Sequence, residues 1–336
     1  MALIELNNVT VAYDQKNNIL KDFNLNVEKG EFLSLLGPSG CGKTTTLRLI
    51  AGFNEAKEGQ FLFDGRDYTK VPVHKRNFGF VFQGHALFPH LNVYENVAFG
   101  LKLRKTDGKA MKSKVHEILE VVNLKGFEDR YPAQLSGGQR QRVAIARSLV
   151  IQPDLLLFDE PLSSLDANLR VQMRMEIRRI QKELKVTTVY VSHDQEECFS
   201  ISDKVAIMSK GVIEQLDSPQ VIYKQPRTEF VARFVGFENI IDRKAAGASF
   251  AGAGGVEAGK WAIRPDDIDI SGEAGAFSSN TAAGKVKVTT YLGREYQYVV
   301  ETPMGEFIVN DGREKPYEHG EQVALHFPEE KLVPVL

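Results

Sequence analysis

One segment constrains the fold more than any other. Gly37-Pro38-Ser39-Gly40-Cys41-Gly42-Lys43-Thr44 fits G-x-x-x-x-G-K-[ST], and it lies between a compact apolar run, Phe32–Leu36, and a helical pattern from Lys43 to Ala51 that Gly52 closes. A strand before and a helix after are the context this motif requires. Its glycines let the backbone wrap tightly, so successive N–H groups point at phosphate oxygens, and the helix N-terminus adds a favourable dipole. Lys43 is expected to reach the β- and γ-phosphates, and the Thr44 hydroxyl to ligate Mg²⁺. Cys41, inside the loop, is expected to be a small filler whose backbone N–H matters.

The alternation of strand and helix continues over the first two-thirds of the chain. Leu155–Phe158 and Thr187–Val191 read as buried strands. Met111, Val115, Ile118, Leu119 and Val122 recur at helical spacing, as do Leu169, Met173, Ile177, Ile180 and Leu184. Such alternation implies an α/β fold, a parallel sheet covered by helices on both faces. Residues 84–150 read as a helical subdomain inserted into that core. Near residue 238 the texture changes to small-residue stretches, Ala245–Gly255 and Ser271–Gly284, and short alternating runs at Lys285–Thr289, Tyr296–Glu301, Glu306–Asn310 and Gln322–Phe327. These suggest a small all-β barrel. The expected domains are therefore 1–238 and 239–336.

Composition excludes several classes of function. With 42 Lys+Arg against 44 Asp+Glu, the net charge of −2 argues against a chain built to coat nucleic acid or an anionic membrane. No apolar run approaches the roughly 18–20 residues that span a bilayer. The start, Met1-Ala2-Leu3-Ile4-Glu5, lacks the pattern of a secretory signal. Two cysteines, Cys41 and Cys198, form no disulfide framework, and a reducing cytosol is the expected setting.

Two further motifs carry chemistry. The apolar run Leu155–Phe158 ends in Asp159-Glu160, and an acidic residue at the carboxyl end of a parallel strand beside a phosphate loop can hold Mg²⁺. The second carboxylate can polarise an attacking water, which separates the roles: Asp159 for metal, Glu160 for general base. Leu135-Ser136-Gly137-Gly138-Gln139 opens a helical run, Arg140–Val150, and presents a serine, glycine amides and a helix start together. Taken alone it is also compatible with a plain N-capped loop. If two copies associate head-to-tail, the segment of one can face the phosphate loop of the other.

In order, spacing and surroundings, Gly37–Thr44, Gln83, Leu135–Gln139, Asp159-Glu160, Ser164-Leu165-Asp166 and His193 resemble the ATP-binding subunits of ABC transporters. The resemblance covers about residues 3–236 and implies a RecA-like core binding ATP and Mg²⁺. It makes Gly37, Pro38, Ser39, Gly40, Cys41, Gly42, Lys43, Thr44 and Thr45 the ATP-binding loop, with Tyr13 stacking on adenine. Thr44, Gln83 and Asp159 become the Mg²⁺ set. Gln83 also reports nucleotide state to a membrane partner, and His193 is the switch histidine at the γ-phosphate. Ser136, Gly137, Gly138 and Gln139 bind ATP held by the opposite subunit, and Asp166 lies at the dimer interface.

Phe82–Leu91, Asp159–Asp166 and Val191–Glu197 resemble the importer branch that serves maltose, polyamines, iron(III), sulfate and molybdate. Ile263-Arg264-Pro265-Asp266-Asp267-Ile268 resembles a segment of that branch's C-terminal oligonucleotide-binding-like regulatory domain. Cys198-Phe199 departs from the usual small residues. The resemblance implies an ATPase working as a homodimer at the cytoplasmic face of the cell membrane. Its partners are two transmembrane permease subunits and indirectly an extracytoplasmic solute-binding protein; a groove beside Leu87 and Phe88 is where a permease helix is expected to dock, although both residues fit a place in the core equally well. Iron(III) or a polyamine is the expected solute. The alternative is a soluble ABC-type ATPase acting on nucleic acid through its barrel; the importer reading expects no nucleic-acid partner.

Overall fold

The computed structural model describes residues 2–12, 18–246, 259–273 and 275–336. Chain contacts divide it into two compact units, Met1–Pro219 and Gln220–Leu336.

The first unit begins with β1 (Ala2–Ala12), β2 (Asn18–Glu28) and β3 (Phe32–Leu36), followed by α1 (Lys43–Ala51). Then come β4 (Glu58–Phe63), β5 (Arg66–Asp67), β6 (Phe78–Val81), α2 (Val93–Leu103), α3 (Gly108–Val121) and α4 (Gly137–Leu149). It ends with β7 (Leu155–Asp159), α5 (Ala167–Leu184), β8 (Thr187–Ser192), α6 (Gln195–Ile201), β9 (Lys204–Ser209) and β10 (Val212–Asp217). A six-stranded sheet runs in the order β10-β9-β3-β8-β7-β6, parallel except for the antiparallel edge strand β10. An antiparallel sheet, β2-β1-β4-β5, packs over α1 and one face of the larger sheet.

Every residue of β3, β7 and β8 is buried. Such strands cannot alternate apolar and polar side chains, which is why they read as continuous apolar runs. Fully burying each Leu, Val or Phe contributes about 1.5–3 kcal/mol. Helices α2, α3 and α4 pack together on the other face, with Val97, Val115, Leu119 and Val143 in one core, and form the expected helical subdomain.

The second unit contains α7 (Pro219–Lys224), α8 (Glu229–Phe234), β11 (Asn239–Asp242), α9 (Arg243–Ala246) and β12 (Lys260–Ile263). Then follow β13 (Asp269–Ser271), β14 (Thr281–Tyr291), β15 (Tyr296–Thr302), β16 (Gly305–Asp311), β17 (Gln322–His326) and β18 (Val333–Val335). Two antiparallel sheets, β11-β12-β18 and β13-β17-β14-β15-β16, curl around Trp261, Tyr298, Phe307 and Phe327. The alternating burial of β14 matches its alternating sequence, with one face in the core.

Residues 220–238, which precede the change of texture near residue 238, fall in the second compact unit. Two side chains, Arg264 and Lys260, show why. The Arg264 guanidinium lies 3.7 Å from the Tyr223 ring and 4.1 Å from the Phe237 ring, and donates to the Val235 and Tyr223 carbonyls. Lys260 pairs with Glu229 at 2.7 Å. Asn239 exchanges two hydrogen bonds with the Ile308 backbone, joining the two sheets. The Arg-Pro-Asp segment noted in the sequence thus serves to fasten α7 and α8 to β12. The small-residue stretch Ala245–Gly255 lies largely outside the described residues.

Candidate functional site

The C-terminal ends of β3, β7 and β8 deliver the candidate residues to one edge of the parallel sheet, where ligands of open α/β sheets bind. The loop after β3 is closed by glycine geometry. A Cβ at Gly37 would stand 2.2 Å from the Met208 carbonyl oxygen, and Gly42, at φ 106°, starts α1 with no side chain capping the helix. The first N–H groups of α1 are therefore left for an anion. The buried Lys43 ammonium donates to the Gly37 and Pro38 carbonyls at 2.7 and 2.9 Å, which holds its charge inside the loop. Cys41 is buried and its Sγ lies 3.7 Å from Lys43 Nζ, a filler as expected. The far end of α1 is capped by a residue the sequence did not single out. Arg76 donates to the Leu49 and Ile50 carbonyls, a favourable cation at a helix C-terminus.

Two clusters sit beside this loop. In the first, the Thr44 hydroxyl donates to Asp159 Oδ1 at 3.3 Å, and burial raises the Asp159 carboxyl above its ordinary range. In the second, Glu160 is central. Its Oε2 accepts from Gln83 Nε2 at 3.2 Å and lies 3.4 Å from His193 Nδ1. Glu160 has a left-handed backbone, φ 45°, held by its N–H donating to the Val191 carbonyl and by the Ser163 hydroxyl donating to its own carbonyl. Residues from three separate segments thus converge on one carboxylate at the end of β7. The imidazole of His193 is 59% exposed and the Glu160 side chain 24%, so an incoming group can reach both.

Ser136 caps α4: its hydroxyl accepts from the Gln139 N–H, and Gln139 reaches back to the Ser136 N–H. The plain capping reading is therefore real, yet Ser136 remains exposed. Gly138 packs closely on α5, where an added Cβ would meet Leu169 Cδ1 at 2.8 Å and push that side chain aside. The described contacts of Ser136–Gln139 are with one another and with the start of α5, not with the phosphate loop of the same chain. Asp166 caps α5 through the Leu169 N–H and stays exposed. Leu87 and Phe88 are half-buried: Leu87 packs on the helical core, and the Phe88 ring lies against Phe99 with centroids 4.5 Å apart and planes tilted by 39°. Tyr13 lies outside the described residues.

Comparison with known proteins decides the family. The ABC transporter family profile matches residues 20–163, and the TOBE domain profile matches residues 261–335. The spermidine/putrescine import ATP-binding protein PotA of Acetivibrio thermocellus is 44% identical over 339 residues, covering 96% of this chain and 94% of that protein. The chain belongs to the ABC transporter family. PotA of Mesoplasma florum is 46% identical over 314 residues, covering 89% and 88%. The Fe(3+) ions import ATP-binding protein FbpC of Escherichia coli O157:H7 is 43% identical over 313 residues, covering 89% and 87%. Among solved structures, cbiO1 from Clostridium perfringens, part of an ABC transporter complex, matches with a TM-score of 0.63 and 28% identity, over 70% of this chain and 94% of that one. A dimeric ATP-binding cassette bound to ADP and Pi matches with a TM-score of 0.57 and 31% identity, over 64% and 98%. This ABC protein is thus an ATP hydrolase coupled to import, with an ABC core and a C-terminal β domain. No helix among the described residues is long and apolar enough to cross a membrane.

Proposed function

We propose that this chain energises import of a polyamine, working as a homodimer beneath two permease subunits at the cytoplasmic face of the membrane, with a solute-binding protein supplying the solute from outside. The convergence of Gln83 and His193 on Glu160, next to the Thr44–Asp159 pair, carries the ATPase mechanism. The relatives named for spermidine and putrescine favour the solute. The absence of a basic excess, with a net charge of −2, speaks against the nucleic-acid alternative.

The phosphate loop, Gly37 to Thr45, binds the nucleotide through its N–H groups, and Lys43 neutralises β- and γ-phosphate charge. Converging hydroxyl and carboxylate oxygens suit a hard cation, so Thr44 and Asp159, with Gln83 beside them, would hold Mg²⁺. That ion would supply charge neutralisation on the phosphates. Glu160 orients the attacking water and takes its proton, while His193 donates toward the γ-phosphate. Ser136 to Gln139 serve the nucleotide of the opposite subunit, with Asp166 across the same interface. Tyr13 is assigned to adenine from sequence alone. A permease helix docks beside Leu87 and Phe88.

The test is Glu160→Gln in the full chain. It keeps ATP binding, slows turnover at least about 10²-fold, since loss of a general base costs about 10²–10⁴, and traps an ATP-dependent dimer. Turnover at the parent rate would remove Glu160 from this role. For the solute, vesicles holding the assembled importer with ATP enclosed and the solute-binding protein outside should accumulate labelled spermidine; accumulation of iron(III) instead would reassign it.

A further inference from the structure

One buried network next to the site has no part in the scheme above. Its centre is Glu197, on α6, whose carboxylate is buried. Its Oε2 accepts from the Ser192 hydroxyl at 2.7 Å and from the Tyr190 hydroxyl at 3.1 Å. Its Oε1 faces Arg170 Nε at 3.8 Å, beyond hydrogen-bond distance but close enough for charge attraction. Burial pushes the Glu197 carboxyl above its usual range, and Arg170 is one of the groups opposing that push.

Arg170 does more than neutralise Glu197. It stands on the first turn of α5, just after Ser164-Leu165-Asp166, and its Nη2 donates to the Leu165 carbonyl at 3.2 Å. Its Nη1 donates to Asp194 Oδ2 at 3.4 Å. Asp194 in turn accepts the Glu197 N–H on Oδ1, and its own N–H donates to the Ser192 hydroxyl. Ser192 and Asp194 are the two chain neighbours of His193. One planar guanidinium therefore joins the backbone of the Ser164–Asp166 turn to Asp194 on one flank of His193 directly, and to Ser192 on the other flank through Glu197. The His193 side chain, by contrast, is largely exposed. Its Nδ1 faces Glu160 Oε2 at 3.4 Å, and its backbone flanks set where the ring starts from.

We propose that Arg170 is a positioning residue that ties the Ser164–Asp166 turn to His193, so that a displacement of the turn is transmitted to the imidazole facing Glu160. Arginine suits this task because its fork donates in two directions at fixed angles, which the single ammonium of lysine does not reproduce. Arg170 touches no candidate phosphate-binding residue, so the tie affects turnover and leaves ATP binding alone. The inference rests on the role assigned to His193 above.

A double-mutant cycle in the full chain tests it, with Arg170→Met, Arg170→Lys, His193→Ala and the Arg170→Met/His193→Ala pair. Arg170→Met is expected to lower kcat about 10- to 100-fold with KM for ATP unchanged, since small misplacements of catalytic groups have costs of that order. Arg170→Lys keeps a positive charge beside Glu197, so it should melt close to the parent while kcat stays low. This separates positioning from stability and decides the matter if Arg170→Met fails to fold. In the His193→Ala background, Arg170→Met should change kcat less than about twofold, because neighbours acting through one group are non-additive. Full kcat in Arg170→Lys, or an additive cycle, overturns the tie and leaves the site reading intact. A His193→Ala variant with parental kcat overturns the site reading and the tie together.

Discussion

The phosphate loop and the segment Phe82–Leu91 both make an abrupt turn at the end of a strand of the parallel sheet, but by opposite means. In the phosphate loop, every positive φ falls on a glycine: Gly37, Gly40 and Gly42. In the other segment, the left-handed residues are His85 at φ 61° and Ala86 at φ 47°, each carrying a Cβ. That conformation costs such residues roughly 1–2 kcal/mol apiece, so something outside the loop has to hold it. Arg147 on α4 donates to the Ala86 and His85 carbonyls at 2.7 and 3.0 Å. His85 Nδ1 lies 2.5 Å from Gln141 Oε1, also on α4, in a site whose burial lowers the imidazole's pKa. Asn96 on α2 bonds the Phe88 backbone through both its N–H and its carbonyl. The first loop holds its shape by local chemistry. The second has its shape imposed by the helical subdomain, so its geometry follows α2 and α4.

Three substitutions break or sharpen that contrast, in decreasing order of effect. Gly37→Val should abolish ATP binding and cost about 1–3 kcal/mol or more of stability, since its Cβ would stand 2.2 Å from the Met208 carbonyl. Nucleotide titration and thermal melting check it, and retained ATP binding would mean the loop tolerates a Cβ at its tightest point. Arg147→Met should cost about 1.5–3 kcal/mol, the usual range for hydrogen bonds to a charged donor. It should leave ATP affinity intact but loosen residues 82–91, seen as faster amide hydrogen exchange there than in the phosphate loop. Equal exchange in both loops would erase the distinction. Ala86→Gly removes left-handed strain but adds unfolded-state freedom, so its net effect should stay within about 1 kcal/mol. A larger loss would show that the Cβ of Ala86 is wanted.

Much of the fold was legible because chemistry and period agreed. The run Phe32–Leu36 is β3 to the residue, and the helix from Lys43 to Ala51 stopped by Gly52 is α1 to the residue. Parallel strands buried on both faces leave a continuous apolar signature, and a phosphate loop has a strict glycine pattern, so both survive in one dimension. The sheet of β1, β2 and β4 was harder to read. Its pairing is broken by register shifts, between Leu6 and Val9 among others, and each shift resets the alternation that marks a strand. Residues 220–238 were illegible for a different reason: a change of texture near residue 238 marks where small-residue stretches begin, not which core the preceding segment joins. Contacts of Arg264 with Tyr223 and Phe237 decide that, and they cross long stretches of chain.

The candidate site divides along the same line. From the residues alone came the candidates at the phosphate loop, the Asp159-Glu160 pair and Ser136–Gln139, each a short string whose residue types the chemistry demands, whereas Gln83 and His193 were candidates only through the resemblance to ABC transporter subunits. Only the tertiary structure brought Gln83, Glu160 and His193, from β6, β7 and β8, onto one carboxylate. It alone revealed Arg170, Glu197, Arg76 and Arg147, whose side chains bridge segments distant in sequence. Such residues leave no local pattern: a long cation or a buried acid can reach any of several partners, and which one it meets is settled by how the helices and strands pack.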